Sequence, residues 1–328
     1  MAQHYHLGII GTGQIGSRHL QALALIDRPV SIQVVDPSPA SLKAARERFN
    51  EVKGSGNVEH VEYLKDITEM MPEFDCVLVA TKADIRRQAV EQLLAQKHVN
   101  YLILEKVLFQ KKEDFEAVNT LLNRYKVKTW VNFPRRVWAI YQELKAKLTN
   151  RKSMDFNVTG SKWGLGCNAL HFLDLFAFFT NCADIALLPN YLDSKTAQAE
   201  RAGFIEFTGT LQGSNTAKDR FSISSYPAGN APLFIQITSP TARFLISENE
   251  GVARISEENS GWKWCEVPFS IPYQSQLTHL VVQKILDTGQ CDLTSYEEAC
   301  KIHVPFLEAL LTHLERNCAL KVDACPIT

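Results

Sequence analysis

The sequence predicts an α/β chain in two parts: a doubly wound parallel sheet over residues 1–130, then an α+β part with a large open, mainly antiparallel sheet over residues 131–328. Three observations predict it. An apolar run, His6-Leu7-Gly8-Ile9-Ile10, leads into the turn Gly11-Thr12-Gly13-Gln14-Ile15-Gly16 and then into a helical pattern. Strand and helix patterns alternate up to residue 130, which implies a parallel sheet covered on both faces. Beyond it, alternating strand-like runs are separated by Gly, Pro, Asn and Ser, the signature of an antiparallel sheet with one face on helices.

Taken in order, residues 6–10 read as the first strand, and Ile15, His19, Leu20, Leu23 and Ile26 trace one face of the first helix. Val30 to Val35 follow as the second strand, closing a βαβ unit that ends on Asp36. Gly11 lets the chain turn sharply, Gly13 lets bare backbone approach a phosphate, and Gly16 lets the helix pack against the strand. The helix start would aim free N–H groups at a pyrophosphate, an attraction of about 0.3–1 kcal/mol per charge at an exposed site. Asp36 stands 20 residues after Gly16, where an acidic side chain accepts hydrogen bonds from the adenosine ribose. It would repel a 2′-phosphate, and Pro37-Ser38-Pro39 offer no cation to receive one. NAD is therefore favoured over NADP.

Phe74 to Ala80 reads as a strand, Ile85 to Gln96 as a helix, Tyr101 to Leu104 as a strand, Asp114 to Tyr125 as a helix and Lys128 to Asn132 as the last strand of the first part. Pro134 marks the boundary, and 135–148 looks helical. An apolar helix spans His171 to Phe179, followed by strand-like runs over 203–211, 220–225, 233–238, 242–248 and 262–267. Trp262 and Trp264, at period-two spacing, are expected to pack on this second sheet. Residues 295–316 close the chain with one or two helices, Pro305 starting or kinking one of them.

At 328 residues, with 45% hydrophobic and 22% charged residues, the chain has the composition of a globular enzyme. A net charge of -1 gives no field for nucleic acid or for a membrane surface. No signal-like segment precedes the first strand and no run has the apolar length of a membrane span, so a cytoplasmic location is expected. The eight cysteines lack metal-ligand spacing and read as reduced thiols, so no metal is expected.

Two segments carry chemistry. Glu105 and Lys106 end a parallel strand, where α/β sheets bind ligands, although a surface Glu-Lys pair fits the residues as well. In Trp163-Gly164-Leu165-Gly166-Cys167-Asn168-Ala169-Leu170-His171, Asn168 and His171 share one helix face. Taken alone, a histidine followed by Phe172, Leu173, Leu175 and Phe176 reads as a packing residue.

Together these elements resemble the glucose-fructose oxidoreductase / inositol dehydrogenase (Gfo/Idh/MocA) family over nearly the whole chain. The resemblance rests on the glycine turn with Arg18-His19, on Ala80-Thr81, on Glu105-Lys106 at a Glu-Lys-Pro position, on the His171 helix and on Tyr296-Glu297-Glu298-Ala299. It implies a Rossmann domain, a second domain for substrate binding and oligomerisation, and nicotinamide at a cleft between them. Gly11, Thr12, Gly13, Gln14, Ile15, Gly16, Asp36, Thr81 and Glu105 would then hold the cofactor, with Glu105 and Lys106 facing the crevice. Lys106 would orient the reacting oxygen and His171 would be the acid/base, while Asn168, Trp163, Arg135 and Cys167 would meet the substrate. Trp163 could stack on a sugar ring, and Arg135 and Arg136 could grip a phosphate or carboxylate unless they are a solvated helix start.

Three departures stand out. Val107 replaces the family's proline, and because a cis bond to a non-proline costs roughly 2.5–4 kcal/mol, a trans peptide is expected. Cys167 stands where the family often has aspartate, and the adjacent Asn168, although able to hydrogen-bond a substrate hydroxyl or Lys106, brings no carboxylate charge. Lys82 replaces the proline that commonly follows the threonine, and reads as a solvated lysine. The resemblance implies an NAD-dependent oxidoreductase acting on a secondary hydroxyl or ketone of a sugar, polyol or nucleotide sugar, assembled as a homodimer or homotetramer through the second sheet. The alternatives are a dinucleotide-binding regulator or scaffold without turnover, and a reductase for a non-carbohydrate carbonyl or imine.

Overall fold

In the computed structural model, which describes residues 3–148, 153–318, 320 and 322–328, two compact units form. The first takes in residues 1–109, 113–134 and 272–296, and the second 110–112, 135–271 and 297–328.

Apart from the edge strand Val58–Leu64, the parallel strands of the first unit are apolar on both faces at their carboxyl ends, as a parallel sheet covered by helices requires. They are β1 (Tyr5–Ile10), β2 (Val30–Val35), β3 (Val58–Leu64), β4 (Glu73–Val79), β5 (His98–Leu104) and β6 (Lys128–Val131). The connecting helices are α1 (Gln14–Leu23), α2 (Pro39–Asn50), α3 (Ala83–Gln96) and α4 (Lys112–Tyr125). Leu7, Ile9, Ile32, Val34, Val77 and Leu102 are fully buried, so the sheet centre is the core of this unit.

In the second unit come α5 (Ala139–Ala146), β7 (Asp155–Thr159), α6 (Leu165–Thr180), β8 (Ile185–Leu192), β9 (Ala197–Gln198), β10 (Ile205–Glu206), β11 (Gly209–Asn215) and β12 (Arg220–Ser225). They are followed by β13 (Phe234–Thr238), β14 (Ala242–Ser247), β15 (Val252–Glu257) and β16 (Trp264–Pro268). Eight of these strands form one sheet in the order β16-β15-β14-β13-β7-β12-β11-β8, antiparallel except where β12 runs parallel to β7. One face presents Phe156, Val158, Phe221, Ile223, Ile235, Ile237, Phe244 and Ile255, all buried, and the aromatic stack Phe156–Phe176–Phe221 ties it to α6. Asn157, Ser222, Gln236 and Arg254 alternate onto the other face.

The chain then returns to the first unit with α7 (Thr278–Thr288) and β17 (Thr294–Ser295), before α8 (Tyr296–Asn317) ends the fold. β17 pairs antiparallel with β6 and extends the first sheet to seven strands in the order β17-β6-β5-β4-β1-β2-β3. The sequence assigns residues 272–296 to the second domain. The structure gives them to the first, held by α7 against α1, by the bidentate Arg28–Asp287 pair, and by Lys128 Nζ donating to the Gly289 carbonyl.

Other expectations change in detail. The run 203–211 divides into β10 and the start of β11, because Phe207-Thr208 leaves the strand and Gly209 takes φ +93°. Pro305 lies inside a single α8 and starts no second helix. Trp264 is half exposed on the outer face of the edge strand β16, and Trp262 sits outside the strand with its ring under the Arg243 guanidinium. None of the eight cysteines forms a disulfide. Among the described residues, no helix is long and apolar enough to cross a membrane.

Candidate functional site

In the first unit, the candidate site centres on the turn between β1 and α1. Gly11 adopts φ +88°, where a Cβ would also press on the Thr81 backbone at 2.8 Å. A Cβ on Gly16 would lie 1.9 Å from the Gly11 carbonyl, so only glycine lets α1 start this close to the strand. At Gly13 a Cβ would meet nothing within 4 Å. Gly11 and Gly16 therefore serve the fold, and Gly13 leaves space above the helix start. α1 has no acidic residue in its first turn, and no side chain caps it at Gly13.

Around this space the predicted residues gather. Asp36 accepts the Thr12 N–H at 2.7 Å through Oδ2 and the Ser38 N–H at 2.8 Å through Oδ1, tying the glycine turn to the end of β2. A carboxylate has about four lone-pair positions, so acceptor capacity remains for ribose hydroxyls. The Oγ1 atoms of Thr12 and Thr81 are buried and have no hydrogen-bond partner among the described residues. Buried hydroxyls are ordinarily paired, and an orphan pair beside an open helix start calls for a polar ligand. The open space, the orphaned hydroxyls and the free N–H groups of α1 fit a dinucleotide diphosphate. Gln14 is exposed and Ile15 half-buried; the Gln14 side chain accepts from Arg48 Nη2 at 2.8 Å, a contact from α2 that the sequence did not signal. Lys82 is exposed, as expected.

Lys106 follows β5 and is half-buried. Two expectations at this strand end are corrected. Glu105 does not face a crevice: its Oε1 accepts from His19 Nε2 at 2.9 Å and from Asn132 Nδ2 at 2.5 Å. Burial pushes this carboxyl up, but hydrogen bonding and charge from His19, with Asn132 and Lys106, hold it below the ordinary range. An ionised carboxylate only accepts, so His19 Nε2 carries a proton, and Nδ1 faces the Thr278 hydroxyl at 2.8 Å. Gln274 closes the network through Asn132 and Thr278. Second, the Lys106–Val107 peptide is cis rather than trans. The carbonyls of Val107 and Leu108 both accept from the buried Arg86 guanidinium, so tertiary hydrogen bonding decides a geometry that local preference argued against.

In the second unit, the residues expected to carry chemistry cluster at the start of α6. Gly164 enters the helix at φ +76°, and Glu206 takes the place of an N-cap, accepting the Gly166 N–H at 2.7 Å and the Cys167 N–H at 3.2 Å. His171 lies one turn beyond Cys167 and is half-buried. The residues expected to meet substrate are largely committed to the fold. Trp163 donates through Nε1 to the Ser224 carbonyl at 2.8 Å and packs edge-on against Phe172. Asn168 Nδ2 donates to the Trp163 carbonyl at 2.8 Å, and Cys167 Sγ donates to the Thr328 main-chain oxygen at 2.9 Å.

Arg135 is corrected too. Its fork is filled by Glu248, at 2.8 and 2.7 Å, over the rings of Trp138 and Phe172. Burial works against this cation, but Glu248 more than compensates and holds its pKa up. Arg136 is consumed by Asp174 and Glu298. Neither arginine is a solvated helix start, and neither fork is open to a substrate anion.

Residues 5–133 match the family described as an oxidoreductase family with an NAD-binding Rossmann fold, Gfo/Idh/MocA. Over these residues the first unit carries an NAD-binding Rossmann fold similar to that of the Gfo/Idh/MocA oxidoreductases. No curated protein matches the sequence. Solved structures extend the likeness in fold over both parts of the chain. An oxidoreductase from Agrobacterium radiobacter, in complex with NAD+, L-tartaric acid and magnesium, is 16% identical, with a TM-score of 0.73 over 96% of this chain and 97% of its own. UDP-N-acetylglucosamine 3-dehydrogenase GnnA from Acidithiobacillus ferrooxidans is 13% identical, with a TM-score of 0.69 over 97% and 98%. Scyllo-inositol dehydrogenase from Lactobacillus casei, with NAD(H) and scyllo-inositol bound, is 18% identical, with a TM-score of 0.66 over 96% and 98%. At these identities the likeness is one of fold.

Proposed function

We propose that the chain is an NAD-dependent oxidoreductase that moves a hydride between nicotinamide and a secondary hydroxyl or ketone of a sugar, polyol or nucleotide sugar. The observation that carries the reading is the open glycine turn at Gly13, flanked by the orphaned hydroxyls of Thr12 and Thr81 and closed by Asp36. Accepting or giving the hydride is the chemistry NAD supplies when bound. The N–H groups at the start of α1 and the Thr12 and Thr81 hydroxyls bind the diphosphate, and Asp36 takes the ribose hydroxyls and disfavours a 2′-phosphate. Lys106 orients the reacting oxygen. His171 removes the hydroxyl proton on oxidation and returns it on reduction, a service of about 10²–10⁴-fold. The carbohydrate class is supported by the polyol and nucleotide-sugar dehydrogenases among its structural likenesses.

The same reading includes a cytoplasmic protein, assembled as a homodimer or homotetramer through the outer face of the eight-stranded sheet, where Leu188, Phe234 and Trp264 stand half exposed. A second reading, a dinucleotide-binding regulator without turnover, is favoured by one observation: α6 carries Cys167 in place of a carboxylate, and the neighbouring Asn168 amide is engaged with Trp163. Calorimetry with NAD and NADP, followed by NADH absorbance across a panel of polyols, sugars and nucleotide sugars, separates the two. NAD binding with turnover that His171→Ala abolishes supports the enzyme. NAD binding without turnover of any panel member supports the regulator, and absence of NAD binding defeats both.

A further inference from the structure

Arg86 is the largest fully buried side chain among the described residues, 2% exposed, and the reading of Lys106 as the group that orients the reacting oxygen gives no account of it. It sits in the first turns of α3, the helix that follows Thr81, and its guanidinium reaches from that helix to the segment after β5. Nη2 donates to the Thr81 carbonyl, and Nη1 donates to the carbonyls of Val107 and of Leu108, the latter at 2.9 Å. One rigid planar group thus joins the loop that follows β4 to the loop that follows β5. Val107, Leu108 and Phe109 are fully buried, so the backbone on one side of Lys106 is fixed by packing as well as by this fork. On the other side, Glu105 is fixed by His19 and Asn132. Lys106 is therefore held between two anchored neighbours.

We infer that Arg86 is a positioning residue: by clamping the carbonyls of Thr81, Val107 and Leu108 it fixes the direction of the Lys106 ammonium and the height of the Thr81 hydroxyl. The role requires a guanidinium. A lysine ammonium is a point charge on a flexible stem and cannot satisfy three carbonyls on two loops with one fixed plane. It also requires burial, because carbonyl acceptors in a dry site have no water to replace a lost donor. A displacement of about 1 Å at a reacting group costs roughly 100-fold in rate, so loosening this clamp lowers turnover without removing any group that meets substrate.

The inference rests on the role proposed for Lys106, and its test reads Lys106 independently of turnover. Arg86→Lys and Arg86→Ala are compared with the unaltered protein by thermal melting, by NAD calorimetry, and by the rate at which a small acylating reagent modifies Lys106, followed by peptide mass spectrometry with the exposed Lys43 as internal reference. Expected in both variants is a change of at least threefold, in either direction, in the Lys106/Lys43 labelling ratio, and in Arg86→Ala a return toward the original ratio on adding free guanidinium, as the vacated space is refilled. If the panel yields a substrate, kcat falls about 100-fold with KM altered much less, as misplacement of a reacting group predicts. If Arg86→Ala does not fold, Arg86→Lys with an intact melting transition decides. A folded variant whose Lys106/Lys43 ratio and kcat equal those of the original protein overturns the inference. Failure of the original protein to turn over any substrate counts against the enzymatic reading alone, since the labelling ratio still reports the clamp.

Discussion

The glycines of the first turn look equivalent in the sequence and are not equivalent in space. Gly16→Ala places a methyl 1.9 Å from the Gly11 carbonyl, so it is expected to destabilise the protein by at least about 1–3 kcal/mol, the range for overpacking, read as a lowered melting temperature. Gly13→Ala meets nothing within 4 Å and keeps φ near -58°, which alanine accepts, so the melting temperature should hold while NAD affinity falls about tenfold, roughly 1.4 kcal/mol, by calorimetry. An equal loss of stability in the two variants would contradict this division of labour. Glu105 provides a pH test. Its carboxyl is held below the unfolded value of about 4.3, so its stabilising contribution is complete above that pH and is lost as pH falls through the lower folded value, where the unfolded chain binds more protons. Glu105→Gln should therefore flatten the dependence of melting temperature on pH below about 4.3, with the original protein showing the steeper decline.

At the scale of elements, the first unit was readable because its strands and helices follow their own periodicities. β1, β2, β4 and β6 fall within a residue of the apolar runs, β5 starts three residues before its run, and α1, α3 and α4 begin within about three residues of the expected starts. β7, the strand at the centre of the second sheet, left little signal: Asp155-Phe156-Asn157-Val158-Thr159 is short and half polar, and only its neighbours β12 and β13 explain its position. β8 carries Pro189 and Asn190, which argue against a strand and are tolerated because β8 is an edge. The start of α5 is fastened to β14's end by Arg135–Glu248, with the Tyr141 hydroxyl also donating to Glu248. Glu248→Ala leaves that buried guanidinium without its carboxylate, and a loss of about 3–5 kcal/mol is expected in urea denaturation. A loss below about 1 kcal/mol would mean that the pair behaves like a surface salt bridge.

For the whole molecule, the Rossmann part and both sheets were legible, whereas chain tracing and the polar interior were not. The return of residues 272–296 to the first unit is invisible in sequence because it depends on β17 finding the edge of β6 and α7 finding α1, pairings between segments far apart in the chain. If the outer face of the eight-stranded sheet joins two copies, light scattering should give a multiple of the chain mass, and Leu188→Glu with Phe234→Glu should reduce it to a single chain with the fold intact by circular dichroism. The sequence by itself determined the βαβ start, the glycine turn with its acidic partner, the parallel character of the first sheet and the antiparallel character of the second. These follow from periodicity and backbone freedom, which are local. Only the tertiary structure decided that Glu105 turns inward to His19, that Arg135 and Arg136 are filled by the protein's own carboxylates, that the peptide after Lys106 is cis, and that Arg86 holds the loops on which Thr81 and Lys106 stand. A buried polar group goes wherever its hydrogen bonds can be completed, and its partners lie on elements that packing brings together.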